Sequence, residues 1–135
     1  MDVLGITQEK AVVMARESRG YPFAFQVIGY YAWEDKDDLE GVIRKSRRYL
    51  EEYAYRRIWS ELSKKDREVA TACAMVPTGE ISEIREILDM SSDQFNPYRM
   101  RLMKAGIISG RQRGVVTFEL PGFDEFVLRQ SSIQK

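Results

Sequence analysis

The chain has no histidine and one cysteine, Cys73, among its 135 residues. A single thiol excludes an internal disulfide. Without histidine, a thiol nucleophile lacks its usual base and a zinc centre its usual ligands, so neither chemistry is expected here. Cys73 reads as a core residue. Long hydrophobic runs are missing too. No stretch approaches the roughly 18 apolar residues that cross a bilayer, and the N-terminus lacks a basic region followed by an apolar run. These absences point to a cytoplasmic protein with no membrane partner. Acidic residues are plentiful but badly spaced for a metal. The run Glu34-Asp35-Lys36-Asp37-Asp38 has no glycine or terminal glutamate at calcium-loop positions and reads as a helix-capping loop. Glu80, Glu83 and Glu86 recur every third residue beside Arg85, the pattern of a solvated helix face rather than of a catalytic carboxylate pair. No constellation supports a stand-alone enzyme, and no cofactor is expected for this chain.

A hydrophobic share of 44% and a charged share of 31% fit a globular chain rather than a disordered one. Bases and acids are equal, 21 of each, so bulk charge does not draw the molecule to polyanions. Their distribution is uneven. Residues 60–90 hold seven acids and four bases, and residues 91–135 hold four acids and seven bases. The positive excess therefore lies towards the C-terminus.

Apolar periodicity divides the chain into two helical modules, 1–58 and 59–135. In the first, Thr7 caps a helix over Gln8–Ser18 that Gly20 closes. Pro22 opens a second helix to about Trp33, with Phe23, Ala24, Val27, Ile28 and Tyr31 on one face. A third helix carries Leu39, Val42, Ile43, Leu50, Tyr53 and Ala54 inward, with Arg44, Lys45, Arg47 and Arg48 outward. Residues 55–63 read as a hinge, although a helix could run through them. In the second module Ser63 caps a helix from Lys64 to about Met75 with Val69, Ala70, Ala72 and Cys73 buried. Pro77-Thr78-Gly79 is a turn. Ile81 is placed to bridge to a later strand. A short helix capped by Ser82 buries Ile84, Ile87 and Leu88, and residues 89–95 form the turn after it. Asn96-Pro97 signals the start of a helix that runs to Ala105, with Met100, Leu102 and Met103 partly inward and Gly106 as its stop.

Ile107–Ser109 and Val115–Leu120 then read as strands around a glycine-bounded loop, Gly110-Arg111-Gln112-Arg113-Gly114, and Phe123, Phe126, Val127 and Leu128 as a last short helix. Helix, turn, helix and basic hairpin in this order spell a winged helix-turn-helix. From Asn96 to Leu120 there are five bases and one acid. Arg99, Arg101 and Lys104 fall on the second helix, and Arg111 and Arg113 at the hairpin tip. An arginine fork can clamp phosphate or bond guanine bidentately, so these five are the candidate contacts to duplex DNA. An ordinary solvated surface, a protein contact, or a bracing role for Arg99 are the alternatives.

Gly20-Tyr21-Pro22-Phe23, followed by Gln26, Gly29 and Ala32-Trp33, resembles a pattern in the lid of prokaryotic AAA+ ATPases related to the archaeal origin-recognition and replication-initiator ATPases and to the STAND class. Arg48-Tyr49-Leu50, Ala70–Met75, Tyr98-Arg99 through Leu102, Gly106-Ile107-Ile108, and Arg113–Phe118 with Pro121 and Phe123 are similar to later elements of the same family. The resemblance implies a helical lid-like bundle followed by a winged helix, the C-terminal half of such an ATPase. The parent would bind ATP and magnesium, with Gly20, Tyr21 and Pro22 near the nucleotide, and this half would contact the missing N-terminal nucleotide-binding domain. No G-x-x-x-x-G-K-[ST] loop occurs here, so hydrolysis is not expected of these residues. The family also implies a rival role, in which the winged helix is an intramolecular or protein–protein regulatory module that touches no DNA.

Overall fold

The computed structural model describes residues 12, 15–17, 22–34 and 39–133. The expected Thr7 cap, most of the Gln8–Ser18 helix, Gly20, Tyr21 and the acidic run after Glu34 lie outside them. Among the described residues the protein is mainly α-helical, with seven α-helices and one two-stranded antiparallel sheet. None of these helices is long and apolar enough to cross a membrane. The chain forms two compact units, Met1–Arg56 and Arg57–Lys135, so the division falls two residues before the expected 58/59.

In the first unit, α1 (Pro22–Glu34) packs on α2 (Leu39–Leu50). Apolar residues at spacings of three and four give each helix one buried stripe. Ile28 and Ala32 meet Val42 there, and Tyr31 closes over them. Ser46 is buried within this face, and its hydroxyl donates to the Val42 carbonyl at 2.7 Å, so no polar atom of that side chain is stranded. Tyr49 stacks on Tyr53 with ring centres 4.5 Å apart and also meets Phe23 and Tyr31. Tyr53, expected inward, is 60% exposed. The helical backbone continues from Leu50 through one π turn, Glu51–Tyr55, into α3 (Arg56–Glu61). Helical backbone therefore runs through most of the expected hinge, as far as Glu61.

The second unit is built on α4 (Lys64–Met75). The Ser63 hydroxyl accepts from the Asp66 amide at 3.0 Å, satisfying one of the orphan donors at the helix start. Val69, Ala70, Ala72 and Cys73 are all buried. Helix α5 (Ile81–Leu88) begins at Ile81 with Glu80 before it, two residues earlier than a Ser82 cap allows. It ends in a tight reversal. Asp89 takes a left-handed conformation, φ 52°, and the Met90 amide reaches back to the Arg85 carbonyl. Aspartate is one of the few side chains that accepts that geometry cheaply.

Helix α6 (Ser92–Lys104) follows after three residues. Here the structure corrects the reading of Asn96-Pro97 as a helix start. Ser91 and Gln94 form a capping box, each side chain bonding the other's backbone amide, and the helix begins a full turn earlier. Pro97 lies inside. Ile87 and Met100, expected inward, are about half exposed, whereas Phe95 and Leu102 are fully buried. The helix closes as a Schellman motif, with Gly106 at φ 78° donating to Met103 and Ile107 donating to Leu102.

Strands β1 (Ile108–Ser109) and β2 (Thr117–Phe118) pair antiparallel, Ile108 opposite Phe118. Val115 and Val116 do not extend this ladder. Val115 bridges Glu80, the Val116 amide donates to the Gly79 carbonyl, and the Ile81 amide donates to the Gly114 carbonyl. The expected contact of Ile81 with the later strand is thus made by its backbone, with the bridge itself one residue before. Helix α7 (Phe123–Ile133) returns to pack along α4 and runs further than the expected short helix. Phe118, Phe123, Phe126 and Trp59 form a chain of ring contacts 5.6–6.5 Å apart in its core. Each fully buried large apolar side chain contributes about 1.5–3 kcal/mol, against about 1 kcal/mol for a cap. Packing therefore holds the unit together, and the caps decide where its helices start.

Candidate nucleic-acid interface

The cationic residues of α6 and the hairpin divide into two groups. Arg101 and Arg99 each contact other parts of the unit, Arg101 with its side chain still 54% exposed. The Arg101 Nη2 stands 2.9 Å from Oδ1 of Asp66, and its Nε donates to the same oxygen at 3.3 Å. Its guanidinium also lies over the Tyr98 ring, 4.6 Å from the centre. The bond to Asp66 raises the guanidinium pKa further above its ordinary value. Asp66 itself is buried and takes a second bond from the Ser63 hydroxyl at 2.9 Å. One carboxylate thus fixes the start of α4 and holds α6 against it. Arg99 is half-buried at the base of the hairpin. A Cβ on Gly110 would lie 2.6 Å from its Nη2, so glycine at that position makes room for the arginine. Its Nε is buried with no acceptor among the described residues.

Lys104, Arg111 and Arg113 form the other group, and all three are exposed. Arg111 comes within 3.7 Å of Glu119 with its side chain 86% exposed, a surface pair too weak to hold it. Lys104 and Arg113 have no carboxylate partner among the described residues. Glycines at both ends of the loop let the chain reverse there, and the segment 110–114 carries two arginines and no acid. An anionic edge lies nearby in the chain. Glu80 bridges to Val115, and its hydrogen bond and charge, followed by desolvation and the charge of Glu86, raise the Glu83 pKa above its ordinary value. On α6 and the hairpin, the cations least held by a carboxylate therefore sit at the loop tip and the C-terminal end of α6.

Of the residues that the lid resemblance singled out, Gly20 and Tyr21 lie outside the described residues and Pro22 opens α1. Trp33 is half exposed and Trp59 is buried. Cys73 is enclosed among apolar groups, and burial pushes its thiol up to about 12, the opposite of an activated nucleophile. No group of three or more Asp, Glu or Cys side chains among the described residues could hold a metal ion.

Two features escaped sequence reading. One is the Asp66–Arg101 tie. The Ser63-x-x-Asp66 spacing marks Asp66 as a capping residue, but nothing local announces a partner 35 residues away. The other is an apolar groove beside α4. It encloses about 540 Å³ and is lined by Trp59, Met75, Ile87 and Leu88, with Lys64 and Arg67 among its polar residues. Trp59 is only 5% exposed, and its indole Nε1 has no acceptor among the described residues. A buried donor without an acceptor costs about 1–3 kcal/mol.

The family model described as "Domain of unknown function (DUF8462)" matches residues 52–127, more than half of the chain. The chain belongs to that family. The match takes in the π turn, the caps of α4 and α6, the hairpin and the start of α7. No curated protein and no solved structure matches the chain.

Proposed function

We propose that the second unit is a winged-helix module that binds duplex DNA through its phosphates, within the C-terminal region of an AAA+-type ATPase. The observation that carries the reading is the exposed, acid-free loop 110–114, with Arg111 and Arg113 projecting from it and Lys104 exposed at the end of α6. The order α4, bridge at Glu80, α5, α6, β1, loop, β2 is compatible with a winged helix and supports the same reading. Because Asp66 and Gly110 occupy Arg101 and Arg99, these two brace the module instead of reading bases. Contact is then made by three cations, and binding is weak, salt-dependent and indifferent to sequence. The first unit is proposed, on its sequence pattern alone, as the lid that couples nucleotide state to this module. ATP and magnesium would belong to the missing nucleotide-binding domain.

Fluorescence anisotropy with two labelled duplexes of unrelated sequence tests this. Three phosphate contacts give a slope of log affinity against log salt of about −2.7, and Arg111→Ala or Arg113→Ala each lowers its magnitude by about 0.9. Affinity should be the same for both duplexes. No anisotropy change at low salt, or variants that follow the wild-type curve, would reject the reading. One observation favours the regulatory alternative. Met100 is 53% exposed on α6 while Arg101 is held by Asp66, so that face offers a protein partner more apolar surface than free charge.

A further inference from the structure

In the second unit, Met75, Ile87, Met100 and Leu128 are the exposed large apolar residues among those described. Two of them, Met75 at 55% and Ile87 at 48%, line the same groove beside α4. Half-exposed apolar side chains gathered in a concavity mark an interaction surface rather than scattered surface noise. The groove holds a second, independent signal. Trp59 lines it, is more than nine-tenths buried, and keeps an indole N–H with no acceptor among the described residues.

Charge narrows the occupant. Arg67 donates to the Trp59 and Ser60 carbonyls at 3.0 and 3.2 Å, and its guanidinium lies 5.5 Å from the centre of the Trp59 ring. Those partners are neutral, so its positive charge is not cancelled. Lys64, also on the groove, is exposed and has no carboxylate partner among the described residues. The acid on the lining, Glu68, lies 3.2 Å from Lys65, so Lys64, Lys65 and Arg67 together outnumber it. The groove therefore presents two uncompensated cations beside an apolar wall. A small ligand is a poor match, because such sites bury most of the ligand surface and this wall stands half open.

We propose that this groove is the docking site for an acidic amphipathic segment of a partner protein, with an apolar residue against Met75 and Ile87 and a carboxylate beside Lys64 and Arg67. None of its residues belongs to the hairpin, so the proposal stands whether or not the module binds DNA.

The test uses the full chain carrying Trp33→Phe, which leaves Trp59 as the only indole. Two synthetic helical peptides serve as probes, each with leucine and phenylalanine one turn apart, one otherwise rich in glutamate and the other in lysine. The acidic peptide is expected to shift the Trp59 indole N–H resonance saturably, and the lysine peptide to leave it in place. Lys64→Glu should weaken the acidic peptide on the order of tenfold, since a like charge then faces it. Ile87→Ser, at a half-exposed position, should remove the effect while the far-UV circular dichroism stays that of the parent chain. Equal shifts from both peptides, no shift from either at millimolar concentration, or an unchanged response in Ile87→Ser would overturn the proposal. Concentration-dependent self-association of the free chain, lost in Ile87→Ser, would assign the groove to a second copy and overturn it as well.

Discussion

Gly79 is the position at which a single methyl group should do most damage to the hairpin. It follows α4 in the Pro77-Thr78-Gly79 turn with φ at 74°, and its carbonyl accepts the Val116 amide at 2.8 Å. An added Cβ would run into the Val116 carbonyl oxygen and lie 3.1 Å from Cγ1 of Val115. The oxygen belongs to the backbone and cannot swing aside. Gly79→Ala carries two costs. Placing alanine at positive φ costs about 1–2 kcal/mol. Relieving the collision requires the 115–116 segment to retreat by roughly an ångström, which forfeits dispersion contacts and the hydrogen bond to Gly79. The lost bond costs about 0.5–1.5 kcal/mol, more if the groups stay buried. Together the loss is about 2–4 kcal/mol.

Gly106 provides the control. Its φ is 78°, nearly the same, but a Cβ there would meet nothing within 4 Å. Gly106→Ala should therefore cost the backbone term alone, about 1–2 kcal/mol. Urea denaturation followed by far-UV circular dichroism separates the two variants. In a thermal melt a unit of this size shifts by about 4–8 °C per kcal/mol. Hydrogen exchange should localise the difference, with the Val116 amide deprotected in Gly79→Ala and not in Gly106→Ala. If the two variants lose the same stability, the close approach of the 79–80 segment to the 115–116 segment is wrong, and so is the account of the hairpin built on it.

Two further outcomes follow from the caps and the core. Ser91→Ala removes one half of the capping box and should cost about 1 kcal/mol, while Asn96→Ala, inside the same helix and exposed, should cost almost nothing; equal losses by denaturant titration would restore Asn96 as the helix start. Burial raises the Cys73 thiol from 9.0 to about 12, so the folded state keeps a proton that the unfolded state releases. The stability this represents, on the order of 4 kcal/mol, is complete below pH 9 and lost as pH climbs towards 12. Denaturation across that window should show a steeper decline in the wild type than in Cys73→Ala, and parallel declines would refute the assignment.

Much of the second unit could be read along the chain. Ser63 as a cap, the Pro77–Gly79 turn, the stripe through Val69, Ala70, Ala72 and Cys73, and the stop at Gly106 all stand where local chemistry puts them. Errors arose where two local signals competed. Ser91-x-x-Gln94 and Asn96-Pro97 are both helix starts, four to five residues apart. The box wins by satisfying two backbone amides at the N-terminus, and proline then lies within the helix. The buried face of α6 changed with it, towards Phe95 and away from Met100, while Leu102 is buried as expected.

The sequence alone determined the helical class, the position of most breaks, and the concentration of basic residues near the C-terminus. Those follow from periodicity, capping and turn chemistry, which act over a handful of neighbouring residues. Only the tertiary structure decided which of the basic residues remain available. Arg101 is taken by an aspartate 35 positions back, Arg99 by the space over a glycine, and Val115-Val116 by a segment more than 30 residues upstream. The groove at Trp59 has the same origin, since α4 and α5 must be set side by side before Met75 and Ile87 share a surface. Side-chain partners of this kind depend on how helices are placed against one another, and that placement is fixed by the packing of the whole core.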